Sequence, residues 1–284
     1  MNSVKQSVAN PRSKQEIAAV GTTFVRASSL PEMFDCPARW YAKHIMGMRT
    51  PMSGKAALGK AIHASTGAFD AARVLGSPIS ADDAAGAAVD ALHRPDEEVD
   101  WEDDSPQKAE GIALALHKRY CADVAPTQDY AAVEAKCEAL TISDLGITLT
   151  GTIDRVYRDD TGALGIADIK TGKTAVNAAG EVKTQGHGLQ LATYELLAEV
   201  AIQQPISAPA RVVGMQTGVT PKAQRIAVGE IDSPRDALIG DADTPGALQH
   251  AAAMLKSGLF HGNPRSQLCS PRYCPAHATC SFRR

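Results

Sequence analysis

The feature that most constrains this chain is a pair of strand-like runs joined by a tight turn, with one aspartate in each run. Residues 147–157 and 163–170 read as strands, and Asp160-Thr161-Gly162 is a turn signal in which glycine can take a positive φ. A turn centred on Thr161 sets opposite each other residues whose numbers sum to about 322, which places Asp154 across from Asp168. Opposed residues on antiparallel strands lie about 4.5–5.5 Å apart at Cα, with their side chains on one face. Two carboxylates so placed repel each other unless a cation lies between them, and hard oxygen ligands suit Mg²⁺ or Mn²⁺. Strand alternation puts Lys170 on the same face as Asp168, where an ammonium can orient a water or offset charge on a phosphate. Ile169 points to the opposite, apolar face, with its carbonyl within reach of a metal. Taken alone, the hairpin fits ordinary cross-strand Asp and Lys pairs on a surface at least as well. A one-residue slip in register would send one carboxylate to the other face.

The chain around the hairpin predicts a mixed α/β fold. Helical patterns run over 31–46, 54–75, 81–92 and 107–121, with an acidic loop at 96–104 between the last two. Strands follow over 130–142, 147–157 and 163–170, then a glycine-bearing loop over 171–188 and a helix over 189–202. Two more strands, 211–217 and 224–231, and a helix over 234–257 precede a cysteine-rich end. This order predicts a central sheet flanked by helices, with an N-terminal helical insertion. In the helix after the hairpin, Gln190 and Tyr194 are four apart and share a face, from which they could fix Lys170 or bind a nucleotide; two surface polar residues would look the same.

Composition narrows the partners. A net charge of −3 carries no global basic signature, so a nucleic acid would have to meet a local patch. That disfavours a passive DNA-coating protein more than an enzyme that needs acidic metal ligands. No apolar run approaches the roughly 18 residues of a membrane helix. The start of the chain is polar, without the apolar stretch of a secretion signal. The expectation is a cytoplasmic protein (in the host cytoplasm if phage-encoded) with no membrane partner. Residues 1–22 are expected to be a disordered tail, and 23–284 one domain: a mainly helical part at 23–125, an α/β core at 126–258 and a tail at 259–284. "TGKT" at 171–174 is not a phosphate-binding loop, because Ala167 stands where that motif needs glycine.

Four segments in order carry a resemblance: "LGKAIH" (58–63), "GTIDRV" (151–156), "ADIKTGK" (167–173) and "QLATY" (190–194). Together they resemble the RecB-like branch of the PD-(D/E)XK nucleases. The resemblance implies a restriction-endonuclease-like fold and a metal-dependent DNA exonuclease acting on single strands or DNA ends, in recombination, repair or phage DNA metabolism. It implies that His63, Asp154, Asp168 and the carbonyl of Ile169 hold Mg²⁺ or Mn²⁺. Lys170 would be catalytic beside Asp154 and Asp168, with Gln190 and Tyr194 in support. Glu134 or Glu138 would add a further carboxylate; the sequence does not choose between them. The rival reading is a catalytically silent DNA-end-binding subunit of a recombination or replication assembly, against which the intact Asp, Asp and Lys set argues.

Six cysteines are present. Cys36, far upstream, with Cys269, Cys274 and Cys280 near the end, resembles the iron–sulfur members of the same branch, among them four-cysteine CRISPR-associated exonucleases and phage relatives. There four thiolates hold a [4Fe–4S] cluster. By that likeness the tail closes on Cys36. A zinc site using His277 with three cysteines, or free thiols, are the alternatives. Cys121 and Cys137 fall in regular elements and are expected to be buried apolar residues. Arg265, Arg272, Arg283 and Arg284, with Lys256, make this end locally basic, suited to a DNA backbone or simply to solvent.

Overall fold

The computed structural model describes residues 21–102 and 104–283. Of the tail expected over 1–22, residues 1–20 lie outside the described residues; Thr22 is hydrogen-bonded through its hydroxyl to Thr148 Oγ1 at 2.7 Å. Strand β1 (Thr23–Arg26) is followed by two short helices, α1 (Leu30–Asp35) and α2 (Pro37–His44). The sequence predicts one helix here, and Pro37 breaks it. A residue before proline is driven out of the helical region, and Cys36 accordingly takes φ −150° and ψ 92°.

Strand β2 (Met52–Ser53) leads into the long helix α3 (Gly54–Val74), then α4 (Ala81–His93), strand β3 (Val99–Asp100) and α5 (Pro106–Arg119). Each of these three helices starts on a serine whose hydroxyl accepts an N–H of the first turn: Ser53 from Ala56, Ser80 from Asp83 and Ser105 from Lys108. Their apolar faces, with Ile62, Leu92 and Leu116, are buried against Ile169, Val213 and Met215 of the central sheet.

The rest of the chain forms β4 (Asp129–Lys136), β5 (Leu140–Ile142), β6 (Ile147–Thr150), β7 (Thr152–Arg158), β8 (Leu164–Gly172), α6 (Gly188–Ile202), β9 (Ala210–Gln216), β10 (Ile226–Ile231), α7 (Arg235–Ile239) and α8 (Ala247–Ser257). The five-stranded central sheet has the order β10-β9-β8-β7-β4, with β8 and β9 parallel and the other neighbours antiparallel. A smaller sheet, β1-β6-β5, shares a core with α6, α8 and the second face of the large sheet. The result is the expected mixed sheet between helices, with the helical segment α3–α5 ahead of the main strands.

Three more expected elements are divided. The run 130–142 is β4 and β5, and the run 147–157 is β6 and β7, each pair split between the two sheets. Gly151 makes the second break: a Cβ there would stand 2.8 Å from Cε1 of Tyr194, so a larger residue would push α6 away from the bend. The helix over 234–257 is split by Gly240, at φ 74°, and by a loop in which Asp241 Oδ1 accepts the N–H groups of Asp243 and Thr244.

The hairpin register is the one the turn dictates. Arg155 pairs with Ala167, Val156 with Ile166, Tyr157 with Gly165 and Arg158 with Leu164. The ladder between β7 and β8 stops at Arg155 and Ala167. Beyond it β7 stays with β4 as far as Thr152, while β8 turns to β9 as far as Gly172. The sheet therefore forks one residue before Asp154 and Asp168 would meet.

Candidate active site

At the fork the amide of Ile169 has no partner on β7, and Asp154 Oδ2 accepts its hydrogen at 2.9 Å. His63, on α3, places Nδ1 3.3 Å from the same oxygen. Glu134 lies across from Asp154 between the pairs Val133–Arg155 and Ala135–Ile153. One ligand atom from each of His63, Glu134 and Asp154 lies within 4.8 Å of the others. Among the described residues no other group of three or more histidines, cysteines or acids comes this close together. Of the two glutamates the sequence left open, Glu134 is thus in the group, and Glu138 is exposed beyond the end of β4. Glu134 sits at φ +48°, a left-handed conformation that L residues seldom keep inside a strand. Holding it there costs about 1–3 kcal/mol, and such strain concentrates at functional positions.

Helix α3 reaches the group because its near face is small. A Cβ on Gly59 would lie 2.9 Å from Thr171 Oγ1, and one on Gly67 would lie 3.4 Å from Glu134 Oε1. These glycines are four residues before and after His63, on its own face of the helix. Two turns along that face, Asp70 meets Arg155, the neighbour of Asp154. Both side chains are fully buried, with Nε 2.8 Å from Oδ2. Tyr120 donates to the same Asp70 oxygen at 2.6 Å, and Arg155 Nη1 donates to the carbonyl of Asp154 at 2.7 Å. Removing one partner of a buried pair of this kind costs about 3–5 kcal/mol. The network therefore clamps α3 to β7 beside the group. Sequence reasoning passed over Asp70 and Arg155; the available signal was an arginine set among Ile153, Val156 and Tyr157 in the middle of a strand.

A second cluster adjoins the first. Asp168 is buried, with Oδ2 2.5 Å from Lys170 Nζ. Lys170 donates to Gln190 Oε1 at 2.9 Å, and Gln190 Nε2 reaches Tyr194 Oη at 3.1 Å and Asp168 Oδ1 at 3.4 Å. An ammonium only donates and a carboxylate only accepts, so this arrangement fixes which end of the Gln190 amide faces each. Burial pushes the Asp168 carboxyl up to about 6, with Lys170 opposing the rise and Asp154 adding to it. Burial and then Asp154 also raise Glu134. These carboxylates resist being ionised together, and a bound cation would relieve them. Tyr194 is held well above the usual phenol range by burial and by Asp168, so its hydroxyl stays protonated and accepts from Gln190 as a neutral group. His187, just ahead of α6, is held down to about 4 by burial and by Lys170, so its ring is neutral near pH 7.

The structure thus brings His63, Asp154 and Glu134 into one ligand group and places Asp168, Lys170, Gln190 and Tyr194 in one hydrogen-bonded set beside it. Asp168 turns its carboxylate toward Lys170. The amide of Ile169 is engaged by Asp154.

The sequence profile of the PD-(D/E)XK nuclease superfamily matches residues 27–281. The chain belongs to this superfamily. A candidate exonuclease from Eubacterium rectale, known from its crystal structure, has a similar fold: TM-score 0.55 at 11% identity, covering 94% of this chain and 92% of that one. The crystallised protein SSO0001 is 16% identical, with TM-score 0.44, covering 92% of this chain and 87% of its own. No curated protein matches the sequence. At 11% identity the likeness to the Eubacterium rectale protein concerns the fold alone.

This PD-(D/E)XK chain also gathers its dispersed cysteines. Cys36, Cys269, Cys274 and Cys280 line a single cavity, and none is in a disulfide. The tail is fastened at the α1–α2 break. Asn263 donates its backbone N–H to Cys36 Sγ at 3.4 Å and its side-chain amide to the Asp35 carbonyl at 2.9 Å. Phe260 stacks on Tyr41 with centroids 4.5 Å apart. Cys121 is buried, and burial raises its thiol to about 12, whereas Cys137 is only half-buried. Arg272 leaves the expected basic tail: it lies over Tyr273 and is paired with Asp100 and Glu102.

The strain at Glu134 has a measurable signature. Glycine tolerates left-handed φ without the penalty of about 1–2 kcal/mol that alanine incurs. Both substitutions remove the carboxylate, so Glu134→Gly is expected to be the more stable of the two in urea denaturation by about that amount. Equal stability, or a more stable Glu134→Ala, would show that the backbone at 134 is unstrained.

Proposed function

We propose that this protein is a metal-dependent DNA exonuclease that hydrolyses phosphodiester bonds in single strands or at DNA ends. The observation that carries this reading is the side-by-side placement of two sets at the sheet fork. One is His63, Glu134 and Asp154, and the other is Asp168 and Lys170 aligned by Gln190 and Tyr194. Nitrogen and carboxylate donors, with the Glu134 and Asp168 carboxyls both raised by burial and by Asp154, suit a divalent ion of the Mg²⁺ or Mn²⁺ kind. His63, Asp154 and Glu134 would hold it, with Asp168 and the carbonyl of Ile169 completing the site. A bound ion supplies Lewis acidity toward a phosphate oxygen and lowers the pKa of an attacking water. Lys170 would orient that water and offset charge growing on the phosphate, and Gln190 would keep the ammonium aimed. The processing of ends in recombination, repair or phage DNA metabolism is part of the same proposal. Purified protein with Mn²⁺ is expected to shorten end-labelled single-stranded DNA, and Lys170→Ala to lose at least ~100-fold in rate, as for loss of a group that stabilises transition-state charge. Wild-type rates in that variant would remove Lys170 from the chemistry.

The same proposal includes a [4Fe–4S] cluster on Cys36, Cys269, Cys274 and Cys280, in the manner of the RecB-like four-cysteine branch. One observation supports it: the four thiols, none in a disulfide, line a single cavity. Protein purified without oxygen is expected to carry iron with a broad visible absorption, and Cys36→Ala to lose that iron. Zinc in place of iron, or full iron content in Cys36→Ala, would refute the ligand set.

A further inference from the structure

The catalytic group opens into a groove that does not end at the site. Lys60 and His63 lie on one face of α3, and the hollow over His63, Glu134 and Thr171 also takes in Ala56 and Lys60. The same Ala56 and Lys60 form the near lip of a second, larger cleft that runs toward the cysteine tail. Helical rise puts Ala56 roughly 10 Å from His63 along α3. The two hollows therefore adjoin along Ala56 and Lys60, with the candidate metal group in the nearer one.

The walls of the far cleft come from three separate segments. Arg49 lies between α2 and β2, Lys183 in the loop between β8 and α6, and Arg265 and Tyr273 in the tail. Arg49, Lys183 and Arg265 are exposed, and among the described residues none has a carboxylate within ion-pair distance. Arg49 is held in place by donating Nη1 to the carbonyls of Lys43 and Met48 at 2.6 and 3.1 Å. Lys183 is set by a small hairpin in which its N–H donates to the Ala175 carbonyl at 3.0 Å. The acidic residues of the cleft are mostly engaged: Glu32 takes Arg39 and Lys43, Asp35 takes Arg39 and Ser266, and Glu97 takes Lys60. In a chain of net charge −3, three unpaired cations facing one cleft form a local positive patch.

Resting on the nuclease reading, we propose that this cleft is the track of a single nucleic-acid strand feeding the site. Arg49, Lys183 and Arg265 bind its phosphates, and Tyr273, which carries Arg272 on one face, offers the other face of its ring to an unpaired base. Phosphates supply the complementary charge, and continuity through Lys60 leads the strand to the metal group. Tyr273 favours a single strand, because a duplex keeps its base faces stacked inside and only an unpaired base can lie on an aromatic wall. The cysteine tail then serves the substrate directly, since its folding places Arg265 and Tyr273.

The test is equilibrium binding of fluorescent oligo-dT to the full-length protein with Ca²⁺, from 50 to 200 mM salt. The triple variant Arg49→Ala/Lys183→Ala/Arg265→Ala is expected to bind at least ten-fold more weakly at 100 mM salt. Its salt slope should fall by about 2, at about 0.7 per phosphate contact for a single strand. A control that removes the same charge elsewhere, Arg94→Ala/Lys118→Ala/Lys222→Ala, should keep the wild-type slope. Unchanged affinity and slope in the first variant overturn the track, as does an equal loss in the control, or a loss confined to duplex DNA. Cleavage separates this inference from the nuclease reading. A protein that degrades oligo-dT but binds it as well after the triple substitution refutes the track alone. One that shows the expected binding loss yet never cleaves with Mn²⁺ supports the track and refutes the nuclease.

Discussion

Everything at this site depends on one hydrogen bond made where two strands part. An antiparallel ladder that ran on would have paired Asp154 with Asp168 and consumed the Ile169 amide. Because β7 follows β4 while β8 follows β9, that amide is left open, and Asp154 closes it with its side chain at 2.9 Å. A buried N–H without a partner would cost roughly 1–3 kcal/mol, so the carboxylate is drawn into the fork. From there its oxygen faces His63 from one direction and Glu134 from another. The opening in the sheet is thereby also the place where charge accumulates.

Two devices bring the rest of the chain to that opening. Glycines at 59 and 67 let α3 lie against β8 and Glu134, and the buried Asp70–Arg155 pair locks the same helix to β7. On the other face, Gly151 lets α6 come close enough for Tyr194 and Gln190 to hold Lys170. The ligand group and the lysine set thus belong to different helices, α3 and α6, joined through neighbouring strands. The strain at Glu134 is a local cost that this framework offsets.

Much of this was legible in the sequence, for physical reasons. The turn at Asp160-Thr161-Gly162 sets the register, and period-two alternation then places Asp168 and Lys170 together. Helical spacing places Gln190 beside Tyr194. What the sequence hid was non-local. The fork itself depends on which neighbour each strand keeps, and nothing within 147–170 encodes that choice. Glu134 could not be chosen over Glu138 without the ladder between β4 and β7. Pro37 after Cys36 was a readable signal for breaking the first helix, as were Gly151 and Gly240 for the later breaks. Asp70 and Arg155 are 85 residues apart, and only the fold makes them partners.

A divalent cation bound at the fork would lie between residues from α3, β4 and β7. Anomalous diffraction from crystals of the protein soaked in Mn²⁺ tests this without reference to activity. The expected result is a manganese peak within bonding distance of the imidazole of His63 and the carboxylates of Asp154 and Glu134, on the side facing Asp168. A fully occupied peak elsewhere, with no density at the fork, would contradict it.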